Sequence, residues 1–124
     1  MHELSIVQSI VDSVTESLSR FPGARIVEVR LRVGALAAVV EDSLQFCYEI
    51  AIEGTLLAGS RLVVEQLPVV MHCARCAHDV ALESVQSFRC PDCGELLSDM
   101  RQGRELEIES IEIEEAPAGI ERES

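Results

Sequence analysis

The sequence predicts an α+β fold: a small three-stranded sheet with two helices, plus an inserted four-cysteine, ribbon-like module. Three observations predict it. Residues 4 to 18 repeat apolar side chains at spacings of three and four. Residues 27 to 33, 60 to 67 and 104 to 114 have the period and composition of strands. Between the second and third of these lie two Cys-x-x-Cys pairs, in a stretch poor in large apolar residues.

The first helix carries Leu4, Val7, Ile10, Val11, Val14 and Leu18 on one stripe, and Pro22-Gly23 ends it. Val27 to Val33 is apolar at every second position, which buries one face and shows Glu28, Arg30 and Arg32 on the other. A second helix starts near Asp42, a good N-cap residue with Gln45 three positions later. It is expected to bury Leu44, Cys47, Tyr48 and Ala51 and to stop at Gly54. Ser60 to Leu67 reads as the next strand. Glu105 to Glu109 alternates strictly until Ser110 shifts the phase onto Ile111 and Ile113, a slip that a β-bulge explains. Two strands alone make a marginal sheet, so the last strand is expected to return to the first domain. Residues 1–69 and 101–115 then form one domain, 70–100 the insertion, and the polar, aperiodic 116–124 a mobile tail.

Composition removes whole classes of function. The 124 residues, 48% hydrophobic, suffice for one compact domain with a stapled insert. The net charge is −12, and all ten basic residues are Arg, which disfavours a phosphate-backbone partner. Phe21, Phe46, Tyr48 and Phe88 are too few and too scattered for a base-stacking platform, so no nucleic-acid partner is expected. The longest apolar run, Val33 to Val40, is far short of the roughly 20 residues that cross a bilayer, and Met-His-Glu-Leu lacks a basic signal-peptide start. The expected location is the cytoplasm, with no membrane partner.

In a reducing compartment, Cys73, Cys76, Cys90 and Cys93 read as metal ligands in the pattern C-x2-C-x13-C-x2-C. Two tight turns supply four soft thiolates, the set that tetrahedral Zn(II) prefers. A four-thiolate shell has no open position, which makes the site structural and the module zinc-ribbon-like. Competing readings are a dithiol redox pair, an iron–sulfur site and a nucleic-acid-binding ribbon. The first lacks a βαβ context, spacing leaves the second open, and acidic residues outnumber basic ones across the insert against the third. His72 and His78 flank the first knuckle, either as exposed turn residues or as ligands that replace a thiolate. Cys47 reads as a small core side chain.

Met1-His2 permits chelation. A free Met1 amine, the His2 amide nitrogen and His2 Nδ1 close a five- and a six-membered ring on one ion, placing three nitrogens in a plane, the setting Ni(II) and Cu(II) favour.

Met1-His2-Glu3-Leu4-Ser5, the two cysteine pairs with Cys90-Pro-Asp-Cys93-Gly94 as the second knuckle, and Gly103-Arg104-Glu105-Leu106 before a Glu/Ile-rich strand resemble the HypA/HybF family. These are nickel metallochaperones of [NiFe]-hydrogenase maturation. The resemblance runs from Met1 to about Glu115. It implies a nickel-binding α/β domain joined by short linkers to a zinc module, transient Ni(II) at Met1, His2 and Glu3, and an additional ligand from Glu41 or Asp42. It also implies delivery to the hydrogenase large-subunit precursor with a nickel-binding GTPase, and in some members service to urease. The chain departs from the family in its longer acidic tail. The expected protein is a metal carrier and not an enzyme. The alternatives are a zinc-ribbon interaction module in which Met1 and His2 play no part, and a zinc enzyme in which His72 or His78 displaces a cysteine.

Overall fold

A computed structural model describes residues 3–84 and 86–114. Met1, His2 and the tail 116–124 lie outside the described residues. Helix α1 spans Glu3–Leu18 and α2 spans Glu41–Ala51. The strands are β1 (Arg25–Gly34), β2 (Arg61–Leu67), β3 (Val69–Cys73), β4 (His78–Leu82), β5 (Asp99–Gln102) and β6 (Leu106–Glu114). They form two three-stranded sheets, ordered β2-β1-β6 and β4-β3-β5. The last strand does return to β1, and the second sheet, built within the cysteine segment, goes beyond what periodicity alone indicated. The chain divides into two compact units, one of residues 32–39 and 65–107, the other holding most of the remainder.

In the second of these units α1 and α2 pack together. Ile6, Val7, Ile10, Val11, Val14 and Leu18 are the buried stripe of α1. Leu4, expected there, is exposed: helical side chains lean toward the N-terminus, and in the first turn that direction leads past the end of the packed stripe. Leu44 and Tyr48 are the buried positions of α2, while Cys47 and Ala51 are half-buried. Gln45 Nε2 donates to the Leu62 carbonyl at 2.8 Å, and the Tyr48 and Ser60 hydroxyls meet at 2.7 Å, tying α2 to the start of β2. Along α1, Val14 and Leu18 face Ile26 of β1 and Ile111 and Ile113 of β6 across a shallow apolar groove of about 140 Å³.

The polar face of β1 is neutralised by its neighbours. Arg61 reaches Glu28 at 3.1 Å, and Arg32 reaches Glu65 at 3.9 Å and Glu107 at 3.2 Å. Such partly exposed pairs each contribute well under about 1 kcal/mol, so they fix strand pairing more than stability. Exposure along β6 slips phase at Glu109–Ser110, as the alternation suggested.

Within the four-cysteine unit, the Gly34 N–H donates to the Glu105 carbonyl and the Leu36 N–H to that of Gly103, both at 2.8 Å. This close approach requires glycine. A Cβ at Gly34 would overlap the Gly103 carbonyl and stand 2.6 Å from the Arg104 nitrogen, and both obstacles are backbone. Gly34→Ala is therefore expected to destabilise the protein by about 2 kcal/mol or more, read as a lower urea midpoint at unchanged slope.

Candidate metal centre

The cysteines occupy two matching turns. The first follows β3, and the Ala77 N–H donates to the Cys73 carbonyl at 2.8 Å. In the second the Gly94 N–H donates to the Cys90 carbonyl at the same distance. Each turn closes through a left-handed residue, Ala77 at φ 60° and Gly94 at φ 79°, so both pairs of thiols converge on one point. The Cys76 N–H points at Cys73 Sγ at 3.4 Å, and Arg89 braces the second turn through the Gly94 carbonyl at 3.2 Å.

All four sulfurs lie within 4.8 Å of one another, with Cys73 and Cys93 at 3.6 Å and Cys76 and Cys90 at 3.8 Å. A tetrahedral Zn(II) with bonds of about 2.3 Å needs sulfurs about 3.8 Å apart, so the four thiols fit it. Cys73 and Cys90 are buried with Val69, Met71, Val80, Leu82 and Leu97, and Cys76 and Cys93 pack against that cluster at half burial. The cysteines are thus part of the core of their unit, and a zinc ion bound there would supply folding energy to it.

The thiols do not ionise alike. The neighbouring Cys93 thiol, followed by burial, pushes Cys76 up to about 12. Burial opposes ionisation of Cys90, but the backbone N–H groups of Asp92 and Cys93 outweigh it and bring that thiol down to about 7. At Cys93 the Glu95 N–H favours the thiolate, yet burial and the Cys73 thiol leave the group raised on balance. Zinc needs thiolates, and in a metal-free unit that is unfolded without the ion the thiols carry their protons at pH 7, because the ordinary thiol pKa is about 8.5. Uptake is therefore expected to release more than two protons per ion in calorimetry across buffers, and apparent zinc affinity should fall more than about hundredfold per unit of acidification.

The histidines divide. His72 Nδ1 pairs with Asp79 Oδ1 at 2.8 Å across the β3–β4 ladder, turned to a cross-strand partner. His78 stands exposed with Nε2 3.7 Å from Asp92, and these two groups come within 4.8 Å of the Cys76 sulfur. Asp92, inside the second knuckle, escaped the sequence reading because only the folded turns bring it to His78.

At the other end of the chain Glu3 opens α1, and its Oε2 accepts a hydrogen bond from the Val40 N–H at 3.3 Å. Val40 is the N-cap residue of α2, with no side-chain cap of its own. The expected cap, Asp42, lies instead in the first helical turn beside Glu41. Glu3 satisfies from another helix a donor that a local cap would otherwise take. The three carboxylate residues Glu3, Glu41 and Asp42 are thereby gathered at one helix start.

Over residues 1–113 the sequence matches the family described as hydrogenase/urease nickel incorporation, metallochaperone, hypA. The chain belongs to the HypA family. HypA relatives named hydrogenase maturation factor include one from Chloroflexus aurantiacus, 45% identical over 90% of this chain and 98% of its own, and one from a Roseiflexus species, 41% identical over 93% and 94%. The solution structure of the Ni metallochaperone HypA from Helicobacter pylori shares the fold, with a TM-score of 0.64 and 23% identity over 94% of this chain and all of that one. This HypA protein is therefore a member of a nickel-incorporation metallochaperone family of hydrogenase maturation, with a four-thiol centre suited to structural zinc. No described helix is long and apolar enough to cross a membrane.

Proposed function

We propose that this HypA protein binds Ni(II) reversibly at its N-terminus and delivers it, in the cytoplasm, to the [NiFe]-hydrogenase large-subunit precursor. It works with a nickel-binding GTPase and catalyses no reaction of its own. The ligands are the Met1 amine, the His2 amide nitrogen and Nδ1, and Glu3, with Glu41 or Asp42 as an additional oxygen donor. Residues 1–69 and 101–115 carry the nickel site, and 70–100 hold zinc through Cys73, Cys76, Cys90 and Cys93.

The observation that carries this reading is the bond between Glu3 and Val40. It fixes the third residue at the first turn of α2, and the two residues before Glu3 can extend at most about 7 Å from it. A nickel site at the first residues of the chain thus adjoins, through Glu3, the helix start where Glu41 and Asp42 stand. The hydrogen bond engages one oxygen of Glu3 and leaves the other as a donor. A site of few ligands at a chain end suits transfer, because a recipient can exchange the ligands one at a time.

Incubating the nickel-loaded protein with purified large-subunit precursor and GTPase tests the proposal. Nickel should enter the precursor faster than from the same concentration of free Ni(II). Equal rates from both sources would remove the carrier role.

A further inference from the structure

The two sides of α2 differ in character. Leu44 and Tyr48 are buried, whereas Phe46 and Ile50 are 64% and 56% exposed. Residues four apart on a helix lie one above the other, so these two form a continuous apolar ridge on the outer side. Single exposed apolar residues are ordinary, but a Phe stacked beside an Ile, uncovered among the described residues, is a patch. Asp42 and Glu49 are also exposed, and their spacing of four and three residues from Phe46 sets them along the same face, while Glu53, exposed as well, follows just beyond the end of the helix. No Arg or Lys occurs between Arg32 and Arg61. The charged residues that this segment brings to the ridge are thus carboxylates alone.

That border decides what can cover it. On a chain of net charge −12, a second copy would bring like charge against like. The complementary surface is an apolar recess flanked by Arg or Lys, which the carboxylates would steer into register. The same face begins at the first turn of α2, where Val40 meets Glu3. From Asp42 to Phe46 is about 6 Å of helix rise.

We propose that the outer face of α2, with Phe46 and Ile50 as apolar anchors and Asp42, Glu49 and Glu53 as an acidic border, docks a basic-rimmed partner protein that exchanges nickel with this chain. The inference rests on the nickel-carrier reading above and adds to it the surface that recognises the partner. A protein seated on this ridge has its own ligands about one helical turn from the cargo, so docking and ligand exchange occur at one place.

The test uses the tag-free full chain and two purified probes, the nickel-binding GTPase and the hydrogenase large-subunit precursor, each titrated separately. Phe46→Ser with Ile50→Ser should weaken binding of the recognised probe about thirtyfold, as loss of a central anchor does. Zinc content, amide protection in α2 and nickel affinity should stay unchanged, which separates docking from folding and from cargo binding. Glu49→Lys with Glu53→Lys should slow association and flatten its salt dependence. If the unmodified chain holds and transfers nickel while the double serine variant binds both probes undiminished, or if the unmodified chain binds neither, the docking face is wrong. A dimer that the serine variant turns into monomer would assign the ridge to a second copy and overturn the proposal. If the unmodified chain binds no nickel at all, the carrier reading fails first and this inference with it.

Discussion

Cys90→Ser is expected to abolish stable zinc binding and to unfold the β4-β3-β5 unit. Cys90 is 3% exposed and belongs both to the metal cluster and to the apolar core around Val69, Met71, Val80 and Leu97. Serine removes a soft ligand and places a hydroxyl where only sulfur-sized apolar surface fits, so two contributions are lost together. Structural zinc in small modules binds with about 10–16 kcal/mol of apparent free energy at neutral pH, which far exceeds what this small cluster supplies by packing alone. The expected readings are zinc content near zero and lost amide protection through Val69–Cys73 and His78–Leu82. Cys47→Ser is the control: that thiol lies half-buried on α2, outside the cluster, and its variant should keep full zinc. Chelation of zinc from the unmodified protein should reproduce the Cys90→Ser state.

The second large effect concerns the first two residues. His2→Ala removes the imidazole that closes the six-membered chelate ring, and one residue added before Met1 moves the amine out of the five-membered one. Each change should weaken nickel binding about a hundredfold or more and replace a square-planar visible spectrum, while zinc content stays constant. Glu3→Gln should keep the bond from the Val40 N–H through its amide oxygen, but it replaces the remaining carboxylate oxygen with an amide NH2 that cannot ligate, so nickel affinity should fall while α2 stays in place. A spectrum and affinity unmoved by the added residue would show that the amine is not a ligand.

Much of this architecture was legible because local pattern and tertiary packing agree. The three-four spacing of α1 and the alternation of β1 each describe a face that is in fact buried, and the phase slip at Ser110 appears as two successive exposed positions, Glu109 and Ser110. The four thiols were legible for a different reason: two short turns constrain ligand geometry almost independently of the rest of the chain. What escaped depends on groups distant in sequence. Asp42 looked like a cap because capping is ordinarily local, yet the helix begins one residue earlier, at Glu41, and the N–H of its N-cap residue Val40 is met by Glu3, 37 residues away in sequence. The second sheet escaped because its apolar set is thin without the cysteines: Cys73 and Cys90 are core residues there as well as members of the four-thiol cluster. The neighbourhood of His78 and Asp92 likewise exists only once the two knuckles face each other.

The proposed division of labour sets a labile nickel site against a permanent zinc site. Its most direct measurement is a chelator challenge of one sample loaded with radiolabelled nickel and radiolabelled zinc, following both metals in the same protein. Nickel should leave within the mixing and separation time, while zinc, caged by four thiolates inside a core, should remain bound for hours at neutral pH. Release of both metals at one rate, or nickel retained after zinc has gone, would contradict the assignment of carrier and structural roles to the two sites.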